Sequence, residues 1–507
     1  MIDKDAPPRR VGDVAAVSGA LPVHRTGILI IILVSYFMIL LDNSIIFTGL
    51  PSIQASLDLS STSLSWVQNA YTLTFGGLLL LAARAGDILG RRRIFIIGLV
   101  IFTIASMGVG LAPTGGWMIG ARALQGVGSA IIGPISLSLL TATFPPGKDR
   151  NQAVAWYAAT AGIGGSLGMV IGGLFADLLT WRAGFFVNVP VGIVMIILGL
   201  RYLIEQPRTP GRFDVLGAVF STIGVGTLMY GVVLSADLGW SSPITITAIS
   251  TGVVLLVLLV VNESRADQPI MPLRLFGSRV RSGAYAIRFL YIGSMMGLFF
   301  FVTQFMQNVM NWTPLQAGLG YLPMTLINFA VALWVPRLSR HLHPLALLAT
   351  GVVVTLVGMG WLTFLTPDSS YALNIGAPMV LVGIGQGLTF APLTSFGIHG
   401  VATSDGGAAS GVMNTAHQVG SSLGLAVLVA LGASAVTSSA STAIADIVTR
   451  VDVALTGSSA LLVLAALVLA TVMLPAFITE RRKPLTHPPH LPDDSPHSPQ
   501  ERKTNAL

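Results

Sequence analysis

The chain has 507 residues, of which 53% are hydrophobic and only 10% charged, and its mean hydropathy is +0.77. A soluble protein of that length needs far more polar surface to cover its core, so the composition reads as a multi-pass membrane protein. The formal charge of +7 does not mark a nucleic-acid binder, since no basic patch alternates with aromatics, and the lack of cysteine excludes disulfides, thiolate metal sites and cysteine nucleophiles.

Residues 1–26 are polar and Pro-containing. The apolar run that follows, Gly27 to Leu50, is long enough to cross a bilayer at ~1.5 Å per residue and too long for a cleaved signal core. It predicts an uncleaved first helix behind a cytoplasmic tail. About fourteen apolar stretches of spanning length follow one another, centred near residues 38, 75, 103, 130, 164, 193, 225, 253, 294, 326, 355, 386, 420 and 468. Even parity puts both termini on one side. The loops on that side hold Arg91, Arg92, Arg93, Lys148, Arg150, Arg208, Arg212, Arg265, Arg274, Arg279, Arg281, Arg337, Arg340, Arg481, Arg482 and Lys483, against Arg182 and Arg450 on the other. That asymmetry predicts a plasma (inner) membrane protein with both termini cytoplasmic. Residues 481–507 read as a disordered cytoplasmic tail, in which His487, His490 and His497 are solvated rather than metal-bound.

The sequence echoes itself. Gly164-Gly165-Ser166-Leu167-Gly168 in the fifth span returns as Gly420-Ser421-Ser422-Leu423-Gly424 in the thirteenth, and Gln125-Gly126 in the fourth as Gln386-Gly387 in the twelfth. Both offsets fit two six-helix halves separated by two extra helices, an arrangement that places a binding site between the halves and permits alternating access.

Asp42, in the first span, stands out as the sole acid within the predicted spans, and a charged carboxylate there costs about 3 kcal/mol, which marks it as a functional candidate. Arg122, in the fourth span, must face a partner or a cavity for the same reason. A carboxylate that alternates between an arginine and a desolvated site can bind and release a proton, whereas the plainer reading is a polar clamp between the first and fourth helices. His417 is the other titratable residue well inside a span, as a proton relay or as a hydrogen-bonded packing residue. Asn43, Gln125, Gln304, Gln307, Asn328 and Asn414 are candidates to line a substrate cavity. Phe299, Phe300, Phe301 and Phe305 read first as lipid-facing packing, with an apolar or cation-binding wall as the alternative.

Between the second and third spans runs Arg84-Ala85-Gly86-Asp87-Ile88-Leu89-Gly90-Arg91-Arg92-Arg93, which resembles the loop motif of the major facilitator superfamily, Gly-x-Leu-x-Asp-x-x-Gly-Arg-Lys/Arg-Arg/Lys. Arg122 to Gly128 resembles that family's Arg-x-x-Gln-Gly-x-Gly. Leu41-Asp42-Asn43-Ser44-Ile45-Ile46 with Leu50-Pro51, Trp181-Arg182 with Phe185 to Pro190, and Pro314 to Gly318 with Leu322-Pro323 resemble segments of its fourteen-helix drug/proton antiporter branch. Ala83, Ala85 and Ile88 depart from the loop motif, and Met169 stands where the antiporter motif has proline, in Gly168-Met169-Val170-Ile171-Gly172-Gly173.

The resemblance implies an all-α membrane protein of the major facilitator fold. Two six-helix bundles, residues 27–205 and 266–480, would flank a two-helix insertion at 206–265, giving fourteen transmembrane helices. It further implies a proton-coupled carrier that exports lipophilic, cationic drugs by alternating access, with Asp42, Arg122 and His417 coupling protons to substrate. Arg84, Gly86, Asp87, Gly90, Arg91 and Arg92 would form a conformational latch, and Gly164, Gly168, Gly172 and Gly173 a helix-packing motif. A single embedded carboxylate favours monovalent cations or neutral amphiphiles over dications. The same fold also suits export of an endogenous lipid, a siderophore-like metabolite or a self-made antibiotic. A membrane enzyme would need a companion acid, base or metal group that the sequence does not offer. No Gly-x-x-x-x-Gly-Lys-Ser/Thr run is present, so no ATP and no cofactor is expected, and the partners are protons, small lipophiles and membrane lipid, with the monomer as the working unit.

Overall fold

The computed structural model describes residues 25–482, apart from 146, 207, 209–213, 267–268, 402–404 and 436–442. Arg212, most of both tails and the histidines His487, His490 and His497 therefore lie outside the described residues. The helices, in chain order, are α1 (Arg25–Leu57), α2 (Ser61–Leu89), α3 (Arg91–Gly110), α4 (Gly115–Thr143), α5 (Lys148–Leu178), α6 (Trp181–Phe186), α7 (Asn188–Tyr202), α8 (Val215–Leu238) and α9 (Pro243–Arg265). They continue with α10 (Arg279–Gly297), α11 (Thr303–Asn308), α12 (Pro314–Gly320), α13 (Leu322–Leu338), α14 (Pro344–Leu362), α15 (Ala377–Gly397), α16 (Gly406–Ser434), α17 (Ala443–Val468) and α18 (Leu474–Arg482). A π-helical turn at Leu298–Val302 joins α10 to α11, so the two form one span, Arg279–Asn308.

Among the described residues there are no strands, and thirteen helices are long and apolar enough to cross a membrane. The fifth expected span is α5, of 31 residues, but its described apolar stretch is shorter, Leu167–Leu178. Helices suit this setting because each satisfies its own backbone hydrogen bonds where no water can. Large apolar side chains face outward, such as Ile104, Ile197, Val254 and Trp334, while Ser35, Gln68, Asn69, Arg122 and Thr355 are buried. That inverts the soluble pattern, as lipid requires.

Small residues bring the helices together, and the same pairings occur twice. Gly164, Gly168 and Gly172 lie one turn apart on the face of α5 that meets α1, where a Cβ at Gly168 would stand 2.5 Å from the Ser44 Cβ. On α16, Gly420 and Gly424 meet Phe289 and Gly293 of α10 in the same manner. Likewise Gly126 of α4 abuts Tyr71 of α2, and Gly387 of α15 abuts Asn328 of α13. The internal echoes are thus two sets of equivalent helix contacts. Met229, Val232 and Val233 of α8 pack on Ala426 and Ala430 of α16, with Trp66 and Leu73 of α2 alongside, so α8 covers the seam between the two sets.

At the end of the bundle away from the Arg91 loop, the two sets touch closely. A Cβ at Gly173 of α5 would lie 2.5 Å from the Pro314 carbonyl of α12, and one at Gly318 of α12 would lie 2.5 Å from the Met169 carbonyl. Met169 is buried at this contact, where its backbone carbonyl faces Gly318.

Three expectations change. Phe300, Phe301 and Phe305 are buried rather than lipid-facing, packed into the large apolar core that both helix sets share. The last span begins at Ala443, so Arg450 lies within α17 rather than in a loop. Asp42 is not the sole acid in a spanning helix: Asp446 and Asp452 lie in the opening turns of α17, and Glu263 is buried near the end of α9.

Candidate functional site

Arg122 and Gln125 are three residues apart on α4 and so share one face of that helix. The face points at α1. Arg122 Nη1 donates to Asp42 Oδ2 at 2.6 Å, Gln125 Nε2 donates to Oδ1 at 2.7 Å, and Asn188 Nδ2 of α7 donates to Oδ1 at 3.0 Å. Arg122 Nε also donates to the Val67 carbonyl of α2 at 3.0 Å, and its guanidinium lies 4.3 Å from the Tyr71 ring centroid. Gln125 reaches Ser106 of α3 at 2.7 Å. Asp42, Arg122, Gln125 and Ser106 have no exposed surface.

A buried charge pair offsets its desolvation only when the remaining donors and acceptors are satisfied, and here they are. Every polar partner of Asp42 and Arg122 comes from α1–α7. The cluster is therefore internal to the first helix set. Asn188 was visible in the sequence as part of a resemblance but not as a ligand of Asp42, from which it is 146 residues distant.

His417 stands apart from this cluster. It lies on α16, its ring 6.5 Å from Phe390 of α15, with Nδ1 enclosed and lacking a hydrogen-bond partner among the described residues. The candidate amides also divide. Asn43 accepts from Gln68 at 2.8 Å, clasping α1 to α2; Gln304 bonds back to Phe300 of its own helix at 3.3 Å; Gln307 donates to the Thr48 carbonyl of α1 at 2.9 Å, across the two sets. Asn328 is half-buried on α13 and Asn414 is exposed on α16. Asn43 thus joins the Asp42–Arg122 cluster through Gln68, whereas Gln304 and Gln307 bond elsewhere.

In the loop motif, Asp87 pairs with Arg91 at 2.9 Å. Gly90 takes φ +111, and a Cβ there would come within 2.8 Å of the Glu205 carboxylate. Glu205 accepts from the backbone N–H groups of Arg92 and Arg93 at 3.0 and 3.2 Å, an anion on the positive end of α3. Arg92 donates to Leu200 of α7 at 2.6 Å, and Gly86 abuts Ile135 of α4. Arg84 lies on α2, one turn before. Glu205 had no signal in the sequence, being 113 residues from Arg92.

A second cation lies within a spanning helix without a signal in the sequence. Arg288 lies well inside α10, its guanidinium 4.4 Å from the Phe390 ring centroid.

A family model described as Major Facilitator Superfamily matches residues 32–216 and 214–425. The chain belongs to the major facilitator superfamily. It is 40% identical over 408 residues to the cephamycin export protein CmcT of Amycolatopsis lactamdurans, covering 80% of this chain and 84% of that one. It is 36% identical over 428 residues to the puromycin resistance protein pur8 of Streptomyces alboniger, covering 83% and 84%. These relatives put it in the drug-efflux branch, as a multi-pass transporter of small molecules rather than an enzyme. Among solved structures, the POT family transporter PepTSo superposes with a TM-score of 0.65 at 14% identity, over 90% of this chain and 99% of that one, a likeness of fold alone.

Proposed function

We propose that this major facilitator protein exports lipophilic antimicrobial compounds across the plasma membrane in exchange for protons, by alternating access, with Asp42 as the proton-carrying group. The observation that supports this most is the sealed Asp42–Arg122 pair, bonded across α1, α2, α4 and α7. Only a proton or a cation neutralises a carboxylate at such a place. Protonation would break the pair and loosen Arg122 from α1, so the charge state of Asp42 is tied to the packing of the first helix set.

Close packing of α1 and α5 against α11 and α12, at the end opposite the Arg91 loop, supports a state closed on that end. With the basic loops cytoplasmic, the closed end is the outer one. Rocking would then open Asp42 to the outside, where it takes up a proton, and the return would release the proton inward. Inward proton movement supplies about 2.3 kcal/mol per charge per 100 mV. The Asp87–Arg91 and Glu205 contacts would hold α2, α3 and α7 as one body during the movement.

Purified protein in liposomes with an imposed pH gradient tests the reading. Transport of members of a panel of lipophilic antimicrobials that collapses with a protonophore is the expected result, and gradient-independent leakage at the rate of empty liposomes would contradict it. The similarity to CmcT, a cephamycin export protein, supports a second reading, release of an antibiotic made by the host cell. Comparing the secreted metabolites of a deletion strain with those of its parent separates the two.

A further inference from the structure

Side chains from both helix sets gather around Arg288. Arg288 Nε and Nη1 are enclosed and have no hydrogen-bond partner among the described residues, and no carboxylate there pairs with it. Its face is taken by Phe390 of α15. Tyr36 of α1 and Tyr291 of α10 lie within electrostatic reach of it, as does His417 of α16. None of these neighbours supplies the missing acceptor. The Tyr291 hydroxyl is engaged with Thr355 at 2.8 Å, and the Tyr157 hydroxyl donates to the Gly133 carbonyl at 3.3 Å. The Tyr36 and Tyr157 rings stack at 4.1 Å with an interplanar angle of 12°. His417 Nδ1 adds a second enclosed polar atom without a partner.

We infer that Arg288, with His417, is the receiving site for the planar oxyanion of an aromatic, carboxylate-bearing substrate, whose ring is held by Phe390 and the stacked pair Tyr36 and Tyr157. The inference rests on the reading of the chain as an exporter and gives that reading a substrate class. A guanidinium presents a flat fork of donors that a carboxylate matches with two parallel bonds, and aromatic faces take a flat lipophilic body. The placement fits a shared site, because Tyr36 and Tyr157 belong to one helix set and Arg288, Phe390 and His417 to the other. The sign of the charge is the reverse of that expected from a lone carboxylate. Asp42 is neutralised by Arg122, so the uncompensated charge in this region is the guanidinium of Arg288.

Three probes with one ring test it on the full chain in nanodiscs: 2-naphthoate, 2-naphthamide and 2-naphthylmethylammonium, with binding read by calorimetry. The expected order has naphthoate about tenfold or more tighter than naphthamide, as charge-assisted bonds to one guanidinium imply, with the ammonium weakest. Arg288→Gln should abolish the preference for naphthoate while leaving naphthamide binding in place, and Arg288→Lys should keep part of it. Equal binding of naphthoate and naphthamide by the unaltered protein, or a preference that survives in Arg288→Gln, would overturn the inference. Arg288-dependent naphthoate binding without transport in liposomes would remove the export reading and keep the site. Gradient-driven transport with no anion preference would do the reverse.

Discussion

Two arginines lie deep in the membrane-spanning part of this protein, and their surroundings differ. Arg122 is bonded to Asp42, Gln125 and the Val67 carbonyl within the first helix set, whereas Arg288 has enclosed donors with no hydrogen-bond partner among the described residues. A satisfied buried cation holds helices together and answers to the proton state of its partner. An unsatisfied one is a stored demand for a ligand. On the proposed reading, the first belongs to proton coupling and the second to substrate.

Removing each arginine gives the largest expected difference. Arg122→Ala strands the Asp42 carboxylate in the interior and should lower stability by about 3–5 kcal/mol, read as a fall in the thermal midpoint of the purified protein. Arg288→Met removes a cation with no carboxylate partner among the described residues and should leave that midpoint unchanged or raise it. A loss as large as that of Arg122→Ala would break the comparison.

A second contrast is steric. Gly168→Val drives its side chain into Ser44 of α1 and should cost about 1–3 kcal/mol by overpacking. Its neighbour Gly165 faces open space, so Gly165→Ala should be tolerated or gain up to about 1 kcal/mol from helix propensity. Thermal unfolding of the two variants side by side decides whether α5 meets α1 as described.

Smaller effects belong to the ends of the helices. Glu205→Gln removes the anion at the start of α3 and should cost about 0.3–1 kcal/mol, less in high salt. The smallest concerns Asp405, before α16, whose bond to Arg274, at 2.8 Å, holds its carboxyl below the usual carboxylate range. A depressed carboxyl contributes stability above its ordinary value of about 3.9 and loses it as pH falls through the lowered one. This pair is solvent-exposed, so Arg274→Ala should leave a near-neutral unfolding curve almost unmoved and blunt only its acid limb.

The sequence carried the spans, the glycine seams and both members of the Asp42–Arg122 pair, because an ion inside an apolar run is conspicuous and the Arg122 to Gly128 motif is local. It carried neither Asn188 nor Glu205 as partners, since each acts on a group more than a hundred residues away. Arg288 was passed over for a different reason. It follows Arg279 and Arg281 along α10 but lies further into the helix, between Tyr285 and Tyr291, with no motif to single it out. A helical register begun at Arg279 would have placed it inside the membrane. His417 was seen, but its distance from Asp42 was not, because the two sit on helices from different halves of the chain.

Asparagine at position 42 imitates the protonated carboxyl, and comparing two modes of transport in liposomes exposes its role. The account predicts that Asp42→Asn abolishes accumulation driven by a pH gradient while substrate-for-substrate counterflow persists. Gradient-driven accumulation at the rate of the unaltered protein would contradict it.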